Sequence, residues 1–187
     1  RDFVEFPSQL FEHWLLTPEV LQRFAVHYQT GESLPQAFIE KIVRARNFNQ
    51  GFNTLEYLAS AMIDMALHSS TDPAIDVSEF EARTLSELGM PSEVVMRHRT
   101  PHFSHIFSGD GYAAGYYSYL WADTLVADAW EAFEENGNVF DKTLAQRLYA
   151  HVFSAGNQQE PDRAYRNFRG RDPDVNALLR KRGFAST

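Results

Sequence analysis

Ala113-Ala114-Gly115-Tyr116-Tyr117-Ser118-Tyr119-Leu120-Trp121-Ala122-Asp123-Thr124-Leu125-Val126-Ala127-Asp128-Ala129-Trp130-Glu131-Ala132-Phe133 puts apolar side chains on nearly every face of a helix. That is the pattern of a helix buried on several sides. It decides for an all-α fold, because strand signals are weak throughout and helix starts and stops recur around it. Thr17-Pro18-Glu19 reads as an N-cap followed by Pro at the first helical position, where its missing N–H costs nothing. Leu34-Pro35 repeats the device before Ala37-Phe38-Ile39 and Ile42-Val43. Thr54 precedes Leu55, Leu58, Met62, Met65 and Ala66, whose steps of three and four residues predict one apolar face. Ser78 and Glu81 have capping-box spacing, and Gly89 with Pro91 closes that helix. Asp141 caps a segment ending at Gly156, Pro161 opens another, and Gly183 ends the last. Loops are expected around Gly51, at 69–76, at 97–111 and at 157–160.

With 187 residues, 44% of them hydrophobic, the chain can bury one substantial core. It is expected to be a single globular domain or a compact part of a larger one. The 15 Phe, 8 Tyr and 3 Trp must supply much of the packing area. A net charge of −8 argues against a nucleic-acid partner, which needs clustered cations. The basic residues Arg163, Arg166, Arg169, Arg171, Arg180, Lys181 and Arg182 are interleaved with acids and read as a solvated, salt-bridged tail. Without cysteine there are no disulfides or thiolate ligands, so any metal must use His and carboxylate. That composition fits a cytoplasmic protein. No apolar run approaches the roughly 20 residues of a membrane span, and no signal peptide opens the chain. Because residue 1 is Arg, the chain is read as a C-terminal fragment.

Two segments carry candidate chemistry: Arg1-Asp2-Phe3-Val4-Glu5-Phe6-Pro7-Ser8-Gln9 and Gly109-Asp110-Gly111-Tyr112-Ala113-Ala114-Gly115-Tyr116-Tyr117-Ser118-Tyr119. If residues 2–16 are helical, Glu5, Gln9 and Glu12 project from one face, with a kink expected at Pro7. Taken alone, Glu5 reads as a solvated helix carboxylate. A helix starting near Tyr112 would align Tyr112, Tyr116 and Tyr119 on one side, and its free N–H groups could face a developing anion. Gly109 and Gly111 before it permit positive φ and close approach of a substrate. Periodic aromatic residues equally mark a core, and glycines around Asp110 equally make an ordinary turn. Residues 97–111 form the longest stretch without helical pattern and hold His98, His102 and His105, three of the seven histidines. Pro101 disfavours a helix joining the first two, so they read as loop or surface residues, with a metal site of all three as the alternative. His13, His27, His68 and His151 have no evident partner.

Both segments resemble the thimet oligopeptidase family of zinc metallopeptidases, and within it the bacterial dipeptidyl carboxypeptidases. The resemblance also takes in Gly51-Phe52, Asp64, Phe103-Ser104-His105-Ile106-Phe107, Tyr165-Arg166, Phe168-Arg169-Gly170-Arg171 and Leu178-Leu179-Arg180-Lys181-Arg182-Gly183. It implies that residues 1–187 are the C-terminal helical segment of a zincin-type oligopeptidase catalytic domain. One zinc ion would be held by two His of an HExxH helix missing from this chain, with Glu5 as third ligand. Glu12 would orient a neighbouring ligand by a hydrogen bond. Tyr119 and His105 would hydrogen-bond the oxyanion or leaving group, a donor of this kind being worth about 3–4 kcal/mol. Tyr112 would clamp substrate from a mobile loop containing Gly109 and Gly111. The implied reaction is hydrolysis of short peptides with release of C-terminal dipeptides by attack of a zinc-bound water, the isolated fragment being inactive. Dipeptide release calls for an Arg on the substrate carboxylate, with Arg97, Arg99 and the tail arginines all candidates. The competing expectation is a non-enzymatic helical interaction module that self-associates through apolar surface exposed by truncation.

Overall fold

The structure is a computed structural model that describes residues 2–185. Among these residues there are nine α-helices and no strand, and an isolated antiparallel bridge joins Val26 to Ser33. The all-α expectation holds. The helices are α1 (Phe6–Leu15), α2 (Pro18–Phe24), α3 (Gln36–Ala45), α4 (Gln50–Ser69), α5 (Val77–Glu87), α6 (Ser118–Glu135), α7 (Lys142–Leu148), α8 (Pro161–Arg169) and α9 (Val175–Lys181). Two compact units divide the chain: Asn49–Tyr119 forms one, and Asp2–Phe48 with the chain from Leu120 onward forms the other. No helix is long and apolar enough to cross a membrane among the described residues.

Local signals set most helix ends. Pro18 and Pro161 stand in the first turns of α2 and α8. Asp141 caps α7 by accepting from Leu144 N at 2.8 Å. Gly183, at φ +73°, follows α9. Several boundaries differ from expectation. Pro7 lies in the first turn of α1, where no N–H is needed, so the helix begins at Phe6 without the interior kink. Thr17 precedes α2 but spends its hydroxyl on Trp14 O at 2.8 Å. Gly51 lies inside α4, which starts four residues before Thr54. Asp76, not Ser78, caps α5 through Glu79 N at 2.9 Å. Glu81 is thereby freed for a tertiary role.

The unit built on α6 has its core between that helix, α1, α7 and α8: Phe6 and Leu10 meet Val126, Ala129, Trp130 and Phe133, closed by Leu144, Leu148, Tyr165 and Phe168. Asp128, fully buried on α6, accepts from Tyr165 Oη at 2.5 Å and Arg169 Nε at 3.2 Å. Arg171 Nη2 lies 2.5 Å from its other oxygen, an ion contact without hydrogen-bond alignment. The basic tail is salt-bridged as expected but not wholly solvated, since Arg169 is nearly buried. Arg180 pairs with Glu131 and Asp174, while Lys181 and Arg182 share Asp123. Burial pushes the Asp123 carboxyl up, yet these two cations hold it below the usual range.

His13 sits on the buried stripe of α1 against Trp130, ring centroids 4.9 Å apart, and neither ring nitrogen has a partner among the described residues. Burial first, then Lys181 and Arg46, push its pKa from 6.5 down to about 3. The unfolded chain therefore takes up a proton that the folded chain refuses. Stability from this group is complete above pH 6.5 and is lost as pH falls toward 3, at roughly 1.4 kcal/mol per pH unit. Titration followed by NMR should show a His13 imidazole neutral down to about pH 3. His13→Phe should flatten the acid limb of the stability curve in that interval.

Candidate active site

Helices α4 and α5 hold a long irregular segment between them. The face of α4 that packs is not the expected one: Ala59, Ser60, Ile63 and Asp64 are buried, whereas Leu55, Met62 and Met65 stay exposed. Small and polar residues win the inside position because the carboxylate finds donors there. From α5, Glu81 is 4% exposed, accepts from Thr100 N at 2.9 Å and Thr100 Oγ1 at 3.0 Å, and pairs with Arg99. This anchors two 3₁₀ turns, Thr100–His102 and Ser104–Phe107, inside the stretch expected to be loop. Phe103 and Ile106 then pack against Ala59, Ile63 and Met96.

The tyrosine segment does not form a helix at Tyr112. Turns run from Gly109 to Tyr117, with Tyr112 N donating to Gly109 O at 2.8 Å and Gly115 N to Tyr112 O at 3.1 Å. Helix α6 begins only at Ser118, so no helix N-terminus lies at Tyr112. Gly109 takes φ +148°, and the loop's other positive φ falls on Ala114 at +51° rather than on Gly111. Asp64 has no exposed surface and receives Ala114 N at 3.0 Å, Tyr116 N at 2.8 Å and His68 Nδ1 at 2.8 Å. The hydroxyl of Tyr57 donates to Tyr116 O. Sequence reading matched Asp64 but gave it no role, and it found no partner for His68. The usable signal was a charged residue amid the apolar run of α4.

The loop brings together what helical spacing was expected to align. His105 meets the rings of Tyr112, Tyr116 and Tyr119 at centroid distances of 5.2, 5.4 and 5.8 Å. Tyr119 Oη and His105 Nε2 are 3.3 Å apart. A cavity of about 330 Å³ is lined by His98, His102, His105, Tyr116 and Tyr119 among others. Tyr112 is 39% exposed. Burial raises the Tyr116 phenol above its ordinary pKa, against the opposing field of Arg97. His98 stacks on Phe103 at 5.4 Å. Among the described residues no three His, Asp or Glu side chains are placed to hold a metal, so the His98, His102 and His105 metal alternative fails.

Glu5 and Glu12 belong to the other unit. Glu5 is the half-buried residue preceding α1, and Gln9 N donates to its carbonyl at 3.0 Å. Its carboxylate receives the Ser8 hydroxyl at 3.4 Å, which leaves oxygen lone pairs for another partner. Glu5, Gln9 and Glu12 each precede a buried residue, Phe6, Leu10 and His13. They therefore share a stripe about 100° from the packed face. Glu12 is exposed. The donor chemistry of Glu5 fits one position in a zinc shell, and the described residues supply no complete set.

Residues 1–184 match the model of Peptidase family M3. The chain is 40% identical to the dipeptidyl carboxypeptidase of Escherichia coli over 98% of its own length and 27% of that relative's. It is 41% identical to oligopeptidase A of Salmonella typhimurium over 97% of its length and 27% of the relative's. A probable cytosolic oligopeptidase A of Arabidopsis thaliana is 38% identical over 97% of the chain and 26% of the relative. The chain thus spans about a quarter of these proteins' length, and the two enzyme names stand at near-equal identity.

Replacing Glu81 by Leu would strand the Arg99 charge and free Thr100. Since the Arg99 side chain is half exposed, the main cost is the Thr100 donors left without their buried acceptor, and denaturation should show a loss of about 1–3 kcal/mol, with residues 99–108 the first to lose amide protection in hydrogen exchange.

Proposed function

Because the chain belongs to Peptidase family M3, we propose that it is part of the active site of a zinc metallopeptidase that hydrolyses short peptides. Glu5 is one metal ligand, and His105, Tyr112 and Tyr119 meet the scissile peptide. The observation that carries this reading is the convergence of three phenols on His105, with His105, Tyr116 and Tyr119 lining one cavity. Core aromatics bury their polar tips against backbone, as Tyr165 does on Leu125 O and Asp128. Here Tyr119 Oη and His105 Nε2 face each other beside open space.

Each group then has a task. Tyr119 donates its O–H toward the carbonyl oxygen where negative charge grows, an interaction stronger in the transition state than in the bound substrate. His105, in contact with the same phenol, holds its orientation or hydrogen-bonds the departing amine. Tyr112 clamps the peptide from a loop that Gly109 allows to fold tightly and that Gly111 leaves bare. Glu5 contributes a hard oxygen donor held at the rigid start of α1, and Glu12 orients a neighbouring ligand. Zinc, when bound, supplies Lewis-acid polarisation and a water acidic enough to ionise near neutral pH. A His pair elsewhere in the complete protein completes its shell. A cysteine-free chain fits a cytoplasmic enzyme.

Release of dipeptides needs a cation for the substrate's terminal carboxylate. Arg99 is committed to Glu81, Arg166, Arg169, Arg171, Arg180 and Arg182 are paired with acids, and Arg163 belongs to the unit that does not hold the tyrosines. Arg97 lies in the unit that holds the tyrosines, is exposed, and acts electrostatically on Tyr116. We assign it the carboxylate.

In the complete enzyme, Glu5→Gln should lose metal and activity together, read by metal analysis and peptide turnover. Tyr119→Phe should keep the metal and lose about 10²–10³ in kcat. A Glu5→Gln enzyme with full metal content and rate would refute the ligand assignment. Arg97→Ala should raise KM for peptides with a free C-terminus while leaving C-terminally amidated peptides unchanged. Equal effects on both peptide classes would point to endopeptidase use of the site.

A further inference from the structure

Resting on the reading of Tyr119 as the phenol that meets the scissile peptide, we infer that Asp64 is the positioning residue of the tyrosine loop. One stripe of α4 carries Tyr57, Asp64 and His68 at steps of seven and four residues, and its first two members grip the loop at Ala114 and Tyr116. Asp64 takes the N–H of Tyr116 through one oxygen and the N–H of Ala114 through the other, and the Tyr57 hydroxyl takes the carbonyl of Tyr116. Tyr116 is therefore held at both backbone ends.

The loop has reason to need this grip. Residues 109–117 have no helical ladder of their own, and Ala114 sits in the left-handed region that a methyl side chain disfavours. Two N–H groups aimed at one carboxylate hold that strained turn closed. His68 Nδ1, donating to the same carboxylate at 2.8 Å, fixes the orientation of the acid in turn. The consequence reaches the cavity directly: the Tyr116 ring packs edge-on against His105 and against Tyr119, at 5.4 and 5.5 Å. Tyr119 lies three residues further along the chain, in the first turn of α6. A carboxylate that touches neither substrate nor metal thus sets the aim of the Tyr119 phenol.

The test is a double-mutant cycle in the complete enzyme, with metal content and thermal midpoint measured for each variant. Asp64→Asn keeps the shape but opposes an amide N–H₂ to a backbone N–H. It should lower kcat about ten-fold or more, with KM within about two-fold and metal unchanged, an effect of about 1.4 kcal/mol per ten-fold. In a Tyr119→Phe background the same substitution should cost less than about two-fold, because the group it aims is already gone. A loss of equal size in both backgrounds, or kcat unchanged by Asp64→Asn alone, overturns the positioning role and leaves Asp64 a fold residue. Full kcat in Tyr119→Phe overturns instead the underlying assignment of the phenol, and this inference falls with it. If Asp64→Asn does not fold, Tyr57→Phe releases the carbonyl end of Tyr116 and is read in the same cycle, with non-additivity against Tyr119→Phe expected and additivity overturning the proposal.

Discussion

A carboxylate taken out of water must bring its partners with it or destabilise whatever buries it. Asp64 and Glu81 meet this demand by reaching from a helix to a segment that is not helical, and Asp128 meets it on α8 and adds Arg171 just beyond that helix. Asp128 on α6 ties Arg171 beyond the end of α8, Asp64 on α4 ties the turn at Ala114 to Tyr116, and Glu81 on α5 ties the 3₁₀ turn at Thr100. Helices follow from local hydrogen bonding and periodicity. Irregular segments have no such ladder, and here buried charge supplies their geometry.

That division explains what could be read from the sequence. Helix ends written in local chemistry were legible: Pro18, Asp141, Pro161 and Gly183 stand where their residue types require. Features set by tertiary partners were not. The apolar period on α4 pointed to Leu55, Met62 and Met65, but the packed face carries Ala59, Ser60 and Asp64. Ser78 and Glu81 have the spacing of a capping box, yet Glu81 is drawn away to Thr100 and Arg99. The tyrosines were expected to gather because a helix would align them. They do gather around His105, through turns that a period of 3.6 residues cannot encode.

The motifs behind the family resemblance separate on the same ground. Tyr165, Arg169, Gly170 and Arg171 are accounted for by the fold, since they satisfy Asp128 and let the chain turn after α8 at φ +84°. His105, Tyr112 and Tyr119 border open space instead. Glu5, half-buried in the other unit, is likewise not accounted for by packing, its carboxylate receiving the Ser8 hydroxyl at 3.4 Å. Residues that serve the fold and residues proposed for chemistry can look alike in a sequence, and burial with satisfied partners tells them apart.

One methyl group gives this arrangement a point of adjustment. Ala114 occupies a backbone basin that glycine enters freely and alanine enters at a cost, and the acid beneath it offsets that cost. Position 114 is thus where stiffness and mobility of the tyrosine arm can be traded by the smallest change evolution has available. A lineage adapting to cold could loosen the arm there without touching a single side chain that lines the cavity.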